Sequence, residues 1–175
     1  MSTEQQTSVD GDDSPQRSVT ERLPPIQGVV VGDDCSRNAS VAVEYAVDEA
    51  IRRGCDLHVV RSWNLTTAPR PSGWSVGYMP SMLEWEAAVL ADLERTWGYL
   101  RERLPSSLYL LPVHRSPKEV LVDASDSADV LVIGARGRGR VKDWVLGSVA
   151  DAVLKHALCP VVVIPQRQVP AATAD

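Results

Sequence analysis

VLVIGARGRGRVKDWVLGSVADAVLKHALCPVVVIP, running from Val130 to Pro165, sets two apolar runs at the ends of a glycine- and arginine-rich loop and a helical pattern. Val130–Ile133 is short and rich in β-branched residues, and it stops at Gly134. Gly147-Ser148 then opens a helix expected to bury Val149, Ala150, Val153, Leu154 and Ala157, and Val161–Ile164 closes the segment. Strand, glycine loop, helix, strand is how α/β proteins build a phosphate cradle, because glycines let backbone N–H groups approach an anion closely. The helix start adds unpaired N–H groups and the positive end of its dipole. Arg136, Arg138 and Arg140 add cationic donors suited to phosphate oxygens. The loop is read as an anion site, and the anion as a nucleotide. Two plainer readings compete: a simple turn, and a solvated charged surface formed by Arg136, Arg138, Arg140 and Lys142. A simple turn does not account for Gly147-Ser148 downstream.

Outward from this segment, the same alternation repeats. Apolar runs at Ile26–Gly32, Leu57–Ser62 and Leu108–His114 precede it. Strands this continuously apolar belong to a parallel sheet buried on both faces. Between them lie helical patterns. Val43, Ala46, Val47, Ala50 and Ile51 make one stripe at helical period, ended by Gly54. Met82, Trp85, Val89, Leu93, Trp97, Leu100 and Leu104 make a longer stripe, so its tryptophans are most simply core. Ser116-Pro117-Lys118-Glu119 reads as a capping box with proline at the first helical position. The order βαβαβαβαβ predicts an α/β fold: a doubly wound, five-stranded parallel sheet with helices on both faces. Trp63–Met79, rich in Pro, Gly and Ser, is too long for an ordinary connection and reads as a lid or a partner surface.

Composition bounds the function. The chain of 175 residues has room for one domain. Residues 1–24 hold almost no large apolar groups and read as a disordered acidic tail, 25–166 as the domain, and 167–175 as a flexible C-terminal tail. The first tail holds Glu4, Asp10, Asp12, Asp13 and Glu21 against Arg17 and Arg22, and so supplies three of the five net negative charges. An acidic chain is not a general nucleic-acid binder, which makes its arginine cluster a local feature. No apolar run approaches a membrane span, and no signal-peptide pattern opens the chain. Cys35, Cys55 and Cys159 lack paired spacing, and His58, His114 and His156 lack ligand spacing, so neither disulfides nor zinc are expected. A reducing cytoplasm is the expected location.

Ligands in open α/β sheets bind beyond the carboxyl ends of strands where strand order reverses. The first strand ends Val31-Gly32-Asp33-Asp34-Cys35-Ser36. If it neighbours the fourth, Asp34 shares a crevice with Gly134 and Gly137, where a carboxylate can accept from ribose hydroxyls or an adenine amine. Asp33 is expected to be a helix N-terminal charge, Ser148 an N-cap, Cys35 a small core filler and His156 a dipole contact at a helix end.

Gly134-x2-Gly137-x9-Gly147-Ser148 resembles the nucleotide-binding signature of the universal stress protein family, in its single-domain, ATP-binding branch. VVVGDDCS resembles that family's opening strand with its aspartate, and HALCPVVVIP its last strand, so the resemblance covers about Ile26 to Pro165. It implies a Rossmann-like fold of the adenine nucleotide α-hydrolase type and ATP, with Mg²⁺, as the ligand. By position, Asp34 would sit at the ribose and adenine end with Gly32 packed close, and Ser62 would meet adenine through its backbone. Gly134, Ala135, Arg136, Gly137, Arg138, Gly139 and Arg140 would wrap the phosphates, and Gly147, Ser148 and Val149 would face them from the helix start. Cys35 and Arg115 stand where many members have glycine, and either has the bulk to narrow the pocket. Asp33 would repel an anion unless it points away or meets a metal.

The resemblance implies a cytoplasmic stress-response sensor or regulator rather than a committed enzyme. There is no Gly-x4-Gly-Lys-Ser/Thr loop, no Gly-x-Ser-x-Gly elbow and no residue clearly placed to activate water, so at most slow ATP hydrolysis is expected. An adenine-nucleotide hydrolase-type enzyme is the alternative, for which the chain offers only His114 and the 63–79 loop. A cAMP-binding member of the same fold is a variant, and a flavodoxin-like FMN carrier, with Trp63 or Trp74 stacked on the flavin, is a third reading. The expected partners are an adenine nucleotide, a second copy paired through strand 161–164, and an unidentified regulatory protein, with no nucleic acid and no membrane.

Overall fold

The computed structural model describes residues 19–137 and 146–165. Five strands alternate with four helices: β1 (Val29–Gly32), α1 (Arg37–Arg53), β2 (Leu57–Ser62), α2 (Met82–Trp97), β3 (Leu108–Val113), α3 (Pro117–Ala124), β4 (Val130–Gly134), α4 (Ser148–His156) and β5 (Val161–Ile164). A 3₁₀ turn over Gly98–Glu102 extends α2. All strand pairs are parallel, in the order β3-β2-β1-β4-β5. The alternation read from the sequence therefore becomes the doubly wound sheet it predicts.

The side-chain alternation of β1 explains the two layers. Val29 and Val31 face α1 and α2 in one core cluster, with Ala42, Val43, Val47, Val89 and Leu93. Val30 faces the other way, with Leu131, Ile133, Val120 and Val153 beneath α3 and α4. All three β1 valines are completely buried, each removing about 1.5–3 kcal/mol worth of apolar surface from water. Ser36 caps α1 by accepting from the Ala39 N–H at 3.1 Å, and Gly54 ends the helix in the left-handed region with φ 64°. Only glycine enters that region without a Cβ penalty.

Several local expectations are corrected. β1 begins at Val29, because Gly28 turns with φ 102° and the Ile26 N–H is used by the Ser127 hydroxyl at 2.8 Å. Ile51 and Leu154 are exposed, since each stripe reached one residue past the face that meets the sheet. Ser116 precedes α3 without capping it through its side chain, and the Glu119 carboxylate accepts from Arg115 Nε at 2.8 Å, so the capping box does not form there. The capping box lies instead at Ser81, whose backbone N–H donates to Glu84 at 2.8 Å while its hydroxyl accepts from the Glu84 N–H at 3.3 Å. Ser148 is the first residue of α4 and Gly147 occupies the cap.

Contacts of the domain reach back into the residues read as tail. Val19 packs against the α1–α2 core and Leu23 against the α3–α4 core. Between them the Thr20 N–H donates to the buried Glu86 at 2.6 Å, and its carbonyl accepts from the His114 N–H at 2.8 Å. That bond ends β3 at Val113. Among the described residues, no helix is long and apolar enough to cross a membrane.

Candidate functional site

β1 and β4 are hydrogen-bonded neighbours, with β2 and β3 on one side and β5 on the other, so strand order reverses between them. Their carboxyl ends, Gly32-Asp33-Asp34 and Gly134-Ala135-Arg136, open into one cavity of about 580 Å³. The size and the apolar walls, broken by a few convergent polar groups, suit a small-molecule site. Gly32, Asp34, Ser62, Gly134, Ala135, Arg136, Gly137, Gly147, Ser148 and Val149 all line it. Arg138, Gly139, Arg140 and Lys142 lie outside the described residues.

The glycines are there because side chains would collide. A Cβ on Gly134 would lie 2.7 Å from Asn38 Nδ2, and one on Gly147 3.2 Å from the Ala135 carbonyl oxygen. A Cβ on Gly137 would overlap the Asp34 carboxylate, whose Cγ lies 3.6 Å away. The loop's neck is closed by backbone: the Gly147 N–H donates to the Ala135 carbonyl at 2.8 Å, and the Ala135 N–H to the Ile164 carbonyl at 2.8 Å. Asn38 completes the clamp, its amide Nδ2 donating to the carbonyls of Arg136 (3.3 Å) and Ile164 (3.2 Å). The start of α4 is thereby held against the crevice, with its first N–H groups and dipole available to an anion.

Asp33 and Asp34 separate. Asp34 lines the cavity, and its Oδ1 accepts from the Ser36 N–H at 3.0 Å. The Asp33 carboxylate is wholly buried and ion-paired with Arg61. Its Oδ2 accepts from Arg61 Nε at 3.0 Å, from Arg61 Nη2 and from Trp97 Nε1 at 3.1 Å, and its Oδ1 from the Cys35 N–H at 2.9 Å. Arg61 Nη1 also donates to Asp92 at 2.5 Å. Burial alone would lower the Arg61 pKa, but the Asp33 charge and the hydrogen bonds to Asp33 and Asp92 reverse this and hold it above its ordinary value. Asp33 is therefore neither a helix N-terminal charge nor an unbalanced one beside an anion.

Cys35 is exposed rather than core, and its φ of 61° places it in the left-handed region. A glycine at that position would carry no steric penalty. Arg115 does not close the pocket: its guanidinium turns along α3 to Glu119 at 2.8 Å and Asp123 at 2.5 Å. Its carbonyl accepts the Ser62 hydroxyl at 2.6 Å, which ties the ends of β2 and β3 together beneath the cavity. His156 is exposed at the end of α4, where a dipole contact was expected. Trp97 is core, whereas Trp85 is half-buried against it.

Of the aromatics in the 63–79 loop, Trp63 lines the cavity and is buried, with its ring tilted against His114 at 4.6 Å. Trp74 stands outside it, half-exposed beneath Arg70, whose guanidinium lies 4.7 Å from the ring centroid. Asn64, Thr67, Ala68 and Pro69 from the same loop wall the cavity, so its first residues form part of the pocket. Asn38 and Arg61 were not foreseen. The available signal was a polar side chain in an apolar frame, Arg61 within LHVVRS and Asn38 one residue before the buried Ala39.

The family model of the universal stress protein family matches residues 25–165. Universal stress protein Rv2005c of Mycobacterium tuberculosis is 37% identical over 143 residues, covering 79% of this chain and 45% of that protein. This chain spans about half the length of the curated relatives it matches. Among solved structures, the universal stress protein from Archaeoglobus fulgidus in complex with dAMP superposes with a TM-score of 0.53 at 27% identity, over 81% of this chain and 99% of that one. A universal stress protein in complex with cAMP gives a TM-score of 0.58 at 23% identity, over 82% and 100% of the two chains. With the matched family model reaching from the lead-in of β1 through β5, this chain belongs to the universal stress protein family.

Proposed function

We propose that the protein binds an adenine nucleotide, ATP with Mg²⁺, in the β1–β4 crevice and acts as a cytoplasmic stress-response sensor or regulator. The observation that carries this reading is the cradle itself. Gly134, Gly137 and Gly147 let the loop and the start of α4 pack against Asn38, Asp34 and the Ala135 carbonyl, where Cβ atoms would collide, and so bring bare backbone to the wall of the cavity. The start of α4 and Arg136 offer N–H donors and positive charge for phosphates, and Asp34 offers acceptors for a ribose. The Archaeoglobus relative solved with dAMP supports the adenine class. Asp33, neutralised by Arg61, adds no net repulsion.

The test is thermal unfolding with and without Mg·ATP, alongside chromatography of any nucleotide released when the purified protein is denatured. Saturating ATP at about 100 Kd stabilises a folded receptor by about 2.7 kcal/mol, a shift of several degrees. A melting curve unmoved by millimolar ATP, with or without Mg²⁺, overturns the proposal. Displacement of ATP by cAMP at lower concentration would instead assign the cyclic nucleotide as the ligand.

A second copy of the chain is proposed to pair along β5. That strand ends the sheet, and its four residues are only half-buried, unlike those of β1 and β4. An apolar edge with unpaired backbone groups favours self-association, and Pro165 limits its extent because it has no N–H. A monomer mass by light scattering at tens of micromolar would exclude it.

A further inference from the structure

We propose that Arg61 is a positioning residue of the crevice: through the buried Asp33 carboxylate it sets the turn that presents Asp34 to the ligand. The ligand in this inference rests on the adenine-nucleotide reading, whereas the positioning rests on geometry alone.

Arg61 projects from β2 into the α1–α2 side of the sheet, among the apolar core of Val59, Trp63, Leu93 and Trp97. A buried ion pair in such a place is weak evidence for stability, because apolar residues of similar volume often serve as well. What apolar residues cannot supply is a fixed acceptor for the Cys35 N–H. Asp33 Oδ1 supplies it at 2.9 Å, while Arg61 and Trp97 hold the other oxygen, so the carboxylate has no freedom to turn. Asp92 anchors the far side of the guanidinium at 2.5 Å.

That acceptor closes a turn whose third residue, Cys35, lies at φ 61°. A non-glycine residue does not rest there without being held. Asp34 is the middle residue of this turn. Its carboxylate points into the crevice, with one oxygen on the Ser36 N–H at 3.0 Å and the other against Gly137. Adjacent carboxylates thus do different work: the inner one is clamped, and the outer one is aimed. Asp34 is the group that touches the ligand, and Arg61 acts through it.

The experiment combines amide hydrogen exchange by NMR in the ligand-free protein with calorimetric titration of Mg·ATP. Arg61→Lys keeps a positive charge beside Asp33 but cannot bridge Asp33 and Asp92 as a planar fork does. Arg61→Met removes the anchor entirely, and Arg61→Lys carries the test should that variant fail to fold. Expected for Arg61→Lys is exchange at the Cys35 and Ser36 amides faster by about tenfold, with the β1 and β2 amides unchanged. ATP affinity should fall about tenfold when Asp34 is present, and not fall further in an Asp34→Ala background, because the two residues act as one unit. Unchanged exchange at Cys35 and Ser36, or an equal rise throughout the sheet, overturns the positioning role. So does an equal loss of affinity in both backgrounds. Wild-type protein that fails to bind ATP overturns the nucleotide reading instead, and the exchange arm still decides whether Arg61 sets Asp34.

Discussion

Replacing Gly137 with alanine should separate the ligand from the fold. Gly137 does not lie at positive φ, so alanine meets no backbone penalty there. The added Cβ would sit 3.6 Å from Asp34 Cγ, an ordinary contact, but would overlap the carboxylate oxygen Oδ2. Rotation of one exposed-side carboxylate relieves the overlap, and no backbone need move. The fold should lose at most the bond from the Ser36 N–H to Asp34, about 0.5–1.5 kcal/mol, partly offset by the lower entropy of the unfolded chain. The ligand loses more. A carboxylate turned away from a ribose hydroxyl forfeits a charge-assisted hydrogen bond worth about 1.5–3 kcal/mol, or about 10- to 150-fold in Kd. Calorimetric titration of Mg·ATP, with urea unfolding as the stability measurement, reads both. Gly28→Ala is the control with the opposite expectation. Its Cβ would lie 2.5 Å from the Asp56 carbonyl oxygen at φ 102°, and backbone cannot swing aside, so that variant should lose stability rather than affinity. Gly137→Ala protein that binds ATP as the wild type does would refute the reasoning about the cradle.

Three further outcomes follow from the same geometry. Gly137→Asp, which adds a second carboxylate beside Asp34, should leave a folded protein by circular dichroism with no measurable ATP binding at millimolar ligand. Asp33→Ala should destabilise by about 3–5 kcal/mol in urea unfolding, because it leaves the buried Arg61 guanidinium without its main partner; this reverses the mild effect expected of a surface charge. Burial pushes the His58 imidazole below its ordinary value, against the smaller opposing pull of the Gln27 carbonyl, and its Nδ1 has no hydrogen-bond partner among the described residues. The folded state then binds fewer protons than the unfolded one. Stability from this group is present above the unfolded value of 6.5 and is lost as pH falls toward the lowered folded value. Urea midpoints between about pH 5 and pH 7 should therefore fall with acidity in the wild type and fall less in His58→Phe.

Much of this molecule could be read before its coordinates. Apolar β-branched runs separated by helical stripes are local patterns, and a continuously apolar strand has few places to go except the middle of a parallel sheet. The glycines of the crevice were equally legible, because their spacing is a property of one loop and one helix start. Asp34 was legible as a carboxylate just past the first strand and through the family resemblance, on the condition that the first and fourth strands are neighbours, which the structure meets. Helix ends were less so: Ser116 precedes a glutamate three residues on, as a capping box requires, yet that glutamate accepts from Arg115 and the box does not form. Ser81 and Glu84, at the start of the stripe that opens with Met82, form the box instead.

The roles of Asp33 and Asp34 were decided only in three dimensions. Nothing local distinguishes two neighbouring aspartates at a strand end. The difference is Arg61, twenty-eight positions away, with Asp92 and Trp97 on a third element. A charge buried in the core must have its partner there, and which partner reaches it depends on parallel β1–β2 pairing and on α2 folding back over both. The same holds for Asn38, whose amide joins two carbonyls from distant strand ends. Periodicity along the chain determines which face a residue joins; long-range packing determines what it meets on that face, and that is where these two aspartates acquire different work.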